Sequence, residues 1–74
     1  MRYTLVGVDG NAYAVMGYVK RAMREVGMSQ EQRTAYIDAA MSDDYHHLLC
    51  VSMDMLEKCN ERLERADGQS ALLV

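Results

Sequence analysis

The residues best suited to chemistry lie in one short run, Asp43-Asp44-Tyr45-His46-His47-Leu48-Leu49-Cys50. On a helix, Asp43 and His47 stand four positions apart, and so do His46 and Cys50. Each pair shares one face, and either could chelate a metal ion. The two pairs lie on different faces, so a full coordination sphere would need ligands from elsewhere in the chain or from a second subunit. The structural alternative is simpler. Asp43 and Asp44 favour a helix N-terminus, where carboxylates complement the dipole, and the histidines face solvent or hydrogen-bond locally. Cys50 with His46 or His47 would also make a thiol–imidazole dyad. A nucleophile, however, needs a cleft and an oriented base, and short helices offer little concavity. Val6-Gly7-Val8-Asp9-Gly10 lacks the spacing and the lysine of a phosphate-binding loop. The sequence therefore points away from an enzyme, and no catalytic, cofactor-binding or metal-binding residue is assigned from it.

Cys50 and Cys59 are the two cysteines. Nine residues apart on one helix, they are separated by about 900° of rotation and about 13 Å of rise. A disulfide needs a Cα separation under about 7 Å, so the two cannot pair within that helix. Two free thiols suit a reducing compartment.

Seventy-four residues make one domain at most, spanning 1–74. At 50% hydrophobic residues the chain is too apolar to stay disordered. Its core is nonetheless small enough that self-association, metal or disulfides often assist such chains. There is no Trp or Phe, and five Tyr and seven Met supply the large side chains. Methionine fills irregular gaps in a core and also serves adaptable binding surfaces. The net charge of −3 argues against general binding to a phosphate backbone. No apolar run approaches the length of a membrane span, and the N-terminus lacks a signal-peptide pattern, so a cytoplasmic address is expected.

These residues must be positioned by four elements and a tail. Arg2–Val8 is rich in β-branched and aromatic residues and reads as one strand. Asp9-Gly10-Asn11 turns the chain, with Asn11 as a helix cap. A first helix is predicted over 12–26, with Ala12, Val15, Met16, Val19, Ala22, Met23 and Val26 on one apolar stripe. Gly17 inside it costs about 1 kcal/mol relative to alanine, a cost that close approach of another backbone would explain. Gly27 stops the helix. Ser29 with Gln32 forms a capping box for a second helix over 30–41, with Tyr36, Ile37, Ala40 and Met41 as its stripe. Ser42 caps a third helix over 43–66, whose inward face carries Tyr45, Leu48, Leu49, Ser52, Leu56, Cys59 and Leu63. Gly68 ends it, and residues 67–74 form a tail or short strand. The fold class is thus mostly α: three helices and one N-terminal strand. That strand needs a partner. The C-terminal tail or a second subunit would supply it, and a homodimer sharing the strand or the long third helix is the expectation.

Asp9 to Tyr13, then Val15 to Gly17, then Ser42 to Leu49 ahead of a cysteine-bearing helix, resemble a family of small uncharacterised proteins of phages and mobile elements from gut bacteria. Members read Asp-Gly-Asn-Ala-aromatic, aliphatic-Met-Gly, and Ser-Gly-Asp-Tyr-x-His-Leu-Leu. Asp43 stands here where glycine is usual. The likeness covers roughly residues 5–59 and implies an origin of that kind without assigning catalytic residues. In outline the three helices are also similar to ubiquitin-associated-type domains, although Met16-Gly17-Tyr18 falls inside the first helix and not in a loop.

Two functions then compete. The stretch from Ala22 to Ile37 looks like a helix-turn-helix, with Gln30, Gln32 and Arg33 at the start of the reading helix and Lys20, Arg21 and Arg24 for phosphates. Against this, the second helix carries Glu31 and Asp38. The favoured expectation is an accessory protein acting by protein–protein contact on a host or phage protein, with inhibition as one form of that action. Tyrosine is enriched at interfaces because it combines a large area with one polar end. Tyr13, Tyr18, Lys20, Arg21 and Arg24 are the predicted partner-binding residues.

Overall fold

A computed structural model describes residues 2–73, which form three helices: α1 (Ala12–Glu25), α2 (Gln30–Ala40) and α3 (Tyr45–Leu73). The mostly helical, three-helix architecture is as expected from the apolar stripes. The ends of α1 and α2 follow from local chemistry. Asn11 Oδ1 accepts the Tyr13 N–H at 2.8 Å, while Asp9 Oδ1 accepts the Asn11 N–H at 3.0 Å. Turn and cap are therefore one device. At the other end Gly27 takes φ 84°. The Met28 N–H then reaches back to the Met23 carbonyl at 2.9 Å and the Gly27 N–H to the Arg24 carbonyl at 3.1 Å. This pair of bonds is a Schellman closure, and it satisfies carbonyls the helix would otherwise leave bare. α2 opens with the predicted capping box. Gln32 N–H donates to Ser29 Oγ at 3.1 Å, and the Ser29 N–H donates to Gln32 Oε1 at 2.8 Å.

α3 begins two residues later than expected. Asp44, and not Ser42, caps it, accepting the His47 N–H at 2.9 Å. Ser42 instead donates its hydroxyl to the Ala39 carbonyl at 2.7 Å, closing the end of α2. α3 also continues through Leu73, so Gly68 does not end it and residues 67–73 are not a separate tail or strand. One interior glycine costs about 1 kcal/mol, which a run of surrounding hydrogen bonds can absorb. Val74 lies outside the described residues. At 29 residues α3 is about 43 Å long, and it sets the 46 Å long axis of the molecule.

The core lies between α1 and α3, with α2 across one side. α1 contributes Val15, Met16, Val19, Ala22 and Met23, α2 contributes Tyr36 and Ala40, and α3 contributes Leu48, Leu56 and Cys59. Met28 and Tyr3 complete it. Met16, Met23 and Met28 are thus core fillers, whereas Met41 and Met53 are more than half exposed. Met41 and Tyr45, both expected on inward stripes, face outward. Among the described residues two polar side chains are buried, Ser52 and Asn60. Tyr36 and Ser52 share a hydrogen bond of 2.6 Å, which satisfies both hydroxyls inside the core.

The N-terminal strand expected over 2–8 does not form, and no strand is present among the described residues. The segment lies along α1 and α3 and then turns. Its Val8 N–H meets the Leu5 carbonyl at 3.0 Å, with Gly7 at φ 84° in the third position of the turn. β-branched residues favour extended backbone, but a strand needs a second backbone beside it. This segment finds side chains instead.

Candidate interaction face

The run from Asp43 to Cys50 is divided by the fold. His47 Nε2 lies 2.9 Å from the Ala39 carbonyl oxygen and 3.2 Å from Ser42 Oγ. Its ring therefore closes the C-terminal end of α2 and is not aimed at Asp43. Asp43 Oδ1 accepts the Asp44 N–H at 2.8 Å. His46 and Cys50 are brought together, with Nε2 and Sγ 3.7 Å apart on the exposed side of α3. Among the described residues no three His, Cys, Asp or Glu side chains gather as a group able to hold a metal ion. Both cysteines are free; Cys50 is exposed and Cys59 is buried. Burial pushes the Cys59 thiol up, with Arg62 opposing the shift.

The N-terminal segment is held by a clasp that sequence periodicity did not reveal. Asn60 Oδ1 accepts the Tyr3 N–H at 2.7 Å, and Asn60 Nδ2 donates to the Tyr3 carbonyl at 3.0 Å. One carboxamide thus does for Tyr3 what a neighbouring strand would do. The Tyr3 hydroxyl donates to Glu25 Oε1 at 2.8 Å. Its ring meets Tyr18 edge-on, with centroids 6.4 Å apart. The Tyr18 hydroxyl accepts the Thr4 N–H at 3.0 Å, and Arg2 pairs with Glu64 at 2.9 Å. Tyr18, one of the predicted partner-binding residues, is therefore turned into the clasp. The available signal for Asn60 was its register. It falls four residues after Leu56 and three before Leu63, a polar residue on an apolar stripe.

The other four predicted residues converge. At about 100° per residue, Tyr13, Lys20, Arg21 and Arg24 fall within about 100° of arc on the side of α1 opposite Val19. Tyr13 is 77% exposed, and all three cations are exposed. Gly17 lies in the middle of this ridge. A Cβ added there would meet nothing within 4 Å, so the close backbone approach expected at Gly17 does not come from the described residues of the chain. A shallow groove borders the ridge, lined by Thr4, Val6, Ala14, Gly17 and Arg21. Val6 on its rim is 86% exposed. Beyond the N-terminal end of α1, Met41 and Tyr45 extend the exposed apolar surface from Tyr13. The Tyr45 hydroxyl donates to the Gly10 carbonyl and fixes that corner.

The helix-turn-helix comparison fares differently at its start. Gln32 is engaged in the capping box, and Arg33 Nη1 donates to the Met28 carbonyl at 3.0 Å. Arg33 nevertheless lines a groove between α1 and α2 together with Lys20, Arg24 and Gln30.

No helix among the described residues is long and apolar enough to cross a membrane. No known family model matches the chain, no curated protein matches it, and no solved structure matches it.

Proposed function

We propose that the chain is a small non-enzymatic accessory protein of the phage or mobile-element type. It works in the cytoplasm by binding another protein, and inhibition of a host or phage protein is the effect of that binding. The phage-type assignment is supported by the resemblance carried by Asp9–Tyr13 and Ser42–Leu49. The contact surface is the outward ridge of α1. The observation that carries this is the alignment on one face of an exposed tyrosine, an open glycine and three exposed cations. Aromatic and arginine side chains are the usual anchors of protein interfaces. The test is quantitative capture of proteins from a host lysate by the wild-type chain and by a variant with alanine at Tyr13, Lys20, Arg21 and Arg24. A partner enriched by the wild type and lost by the variant is the expected result. Equal recovery of every partner would remove this surface from consideration.

A second function has one specific observation in its favour. Lys20, Arg24 and Arg33 line one groove, which is the arrangement a phosphate backbone would use. A DNA-binding regulator would bind a defined duplex with an affinity that falls steeply with salt and drops on Arg33→Ala.

A further inference from the structure

We infer that the outward ridge of α1 is complementary to itself, and that its occupant is a second copy of this chain, packed antiparallel across Gly17 on a twofold axis. The inference rests on the ridge being a protein contact surface: in the free protein the second copy covers that ridge, and a target protein binds by displacing it. It begins at Gly17. Nothing among the described residues requires a glycine there, because a Cβ would point into open space. A helix from another molecule can approach α1 closely at that one point on the ridge, since no side chain holds it off.

The residues around Gly17 then have a particular symmetry. When two identical helices cross antiparallel on a twofold axis, the residue k positions before the crossing faces the residue k positions after it in the other copy. Tyr13 is four positions before Gly17, and Arg21 is four after. At about 6 Å from the crossing, each guanidinium therefore faces the phenol ring of the other copy, a cation–π pairing that forms twice. Three positions out, the small Ala14 leaves room for the stem of Lys20. Seven positions out, Gly10 faces Arg24, and Asp9 is the next residue. Asp9 gives one carboxylate oxygen to the Asn11 N–H, and a carboxylate has capacity for a further donor. Arg24 of the other copy would meet that carboxylate. The aromatic and acidic end of each ridge thus covers the basic end of its counterpart. Parallel packing would instead set Lys20, Arg21 and Arg24 against themselves, and like-charge juxtaposition is strongly disfavoured. The exposed Val6 and the groove beside Gly17 give the crossing an apolar border.

The test uses the purified full-length chain. Sedimentation equilibrium should show a dimer that weakens as salt rises. Gly17→Leu and Arg24→Glu should each weaken it at least tenfold, while circular dichroism shows the helices retained. In a Cys50→Ser background, which removes the exposed thiol, Gly17→Cys should oxidise rapidly to a disulfide-linked dimer. Glu57→Cys, on the outward side of α3, should not. The inference is overturned by a chain that stays monomeric into the millimolar range. It is equally overturned by a dimer indifferent to both substitutions, or by Gly17→Cys cross-linking no faster than Glu57→Cys. A monomer would not touch the broader reading of the ridge, which stands or falls on the lysate comparison.

Discussion

Asn60 holds two backbone groups that have no other partner among the described residues, the N–H and the carbonyl of Tyr3. Asn60→Leu keeps the branching and the number of side-chain heavy atoms but removes both hydrogen bonds. Leaving a buried polar group unpaired costs about 1–3 kcal/mol, so the expected loss is at least that, read as a lower urea midpoint. Ser52→Ala is expected to cost about as much, because it strands the Tyr36 hydroxyl in the core. Tyr3 adds a dependence on pH. Burial, then the hydrogen bond to Glu25 and its negative charge, hold the Tyr3 phenol up at about 12, against 10.0 for a free tyrosine. The folded state therefore keeps its proton more tightly than the unfolded state does. This contribution to stability is complete below pH 10 and is lost as the pH rises through 12. Urea midpoints measured from pH 8 to pH 12 should fall along that limb for the wild type. Tyr3→Phe, which cannot ionise, should flatten the part of the fall owed to this residue. An equal fall in both proteins would assign the limb to other groups.

Among the elements, α1 and α2 carry their own punctuation, and this made them readable. Asn11, the Ser29–Gln32 box and Gly27 act within four residues of where they stand, so their bonds can be anticipated from spacing. Ser29→Ala should lower stability by about 1 kcal/mol through loss of the cap. Gly17→Ala, compared at concentrations low enough to keep both proteins monomeric, should raise it by about 1 kcal/mol, since the added methyl group meets nothing among the described residues of the single chain. Thermal unfolding followed by circular dichroism would report both signs. The start of α3 was harder to anticipate, because Ser42, Asp43 and Asp44 all could cap and only three-dimensional placement decides among them. Ser42 was drawn back to the end of α2, which left the role to Asp44. The N-terminal segment was misread for a related reason. Its composition favours extended backbone, but its actual partner lies 57 residues away and is a side chain, which no local pattern encodes. The interaction face divides in the same way. Helical period places Tyr13, Lys20, Arg21 and Arg24 outward together. Tyr18 sits at the edge of the apolar stripe, where contacts with Tyr3 and Thr4 decide its direction.

At the scale of the whole molecule, the two thiols report different things. Cys50 is exposed and Cys59 is fully covered. A thiol-reactive dye in excess should consume the first at the rate of an unhindered cysteine. The second should wait for an opening that uncovers α3, and its rate should rise steeply with added urea. Two equally fast thiols would mean that the core around Cys59 opens far more readily than its packing implies. Opening also has a direction in time. The Tyr3 backbone is secured by a residue made nearly sixty positions later, and residues leave the ribosome in the order in which they are joined. During synthesis, the segment around Tyr3 must therefore wait, without its partner, while α1 and α2 emerge behind it. Only when Asn60 has cleared the exit tunnel can the clasp close. The earliest-made part of the described chain is among the last to be fixed, and throughout that interval its backbone is open to whatever else can offer the same two hydrogen bonds.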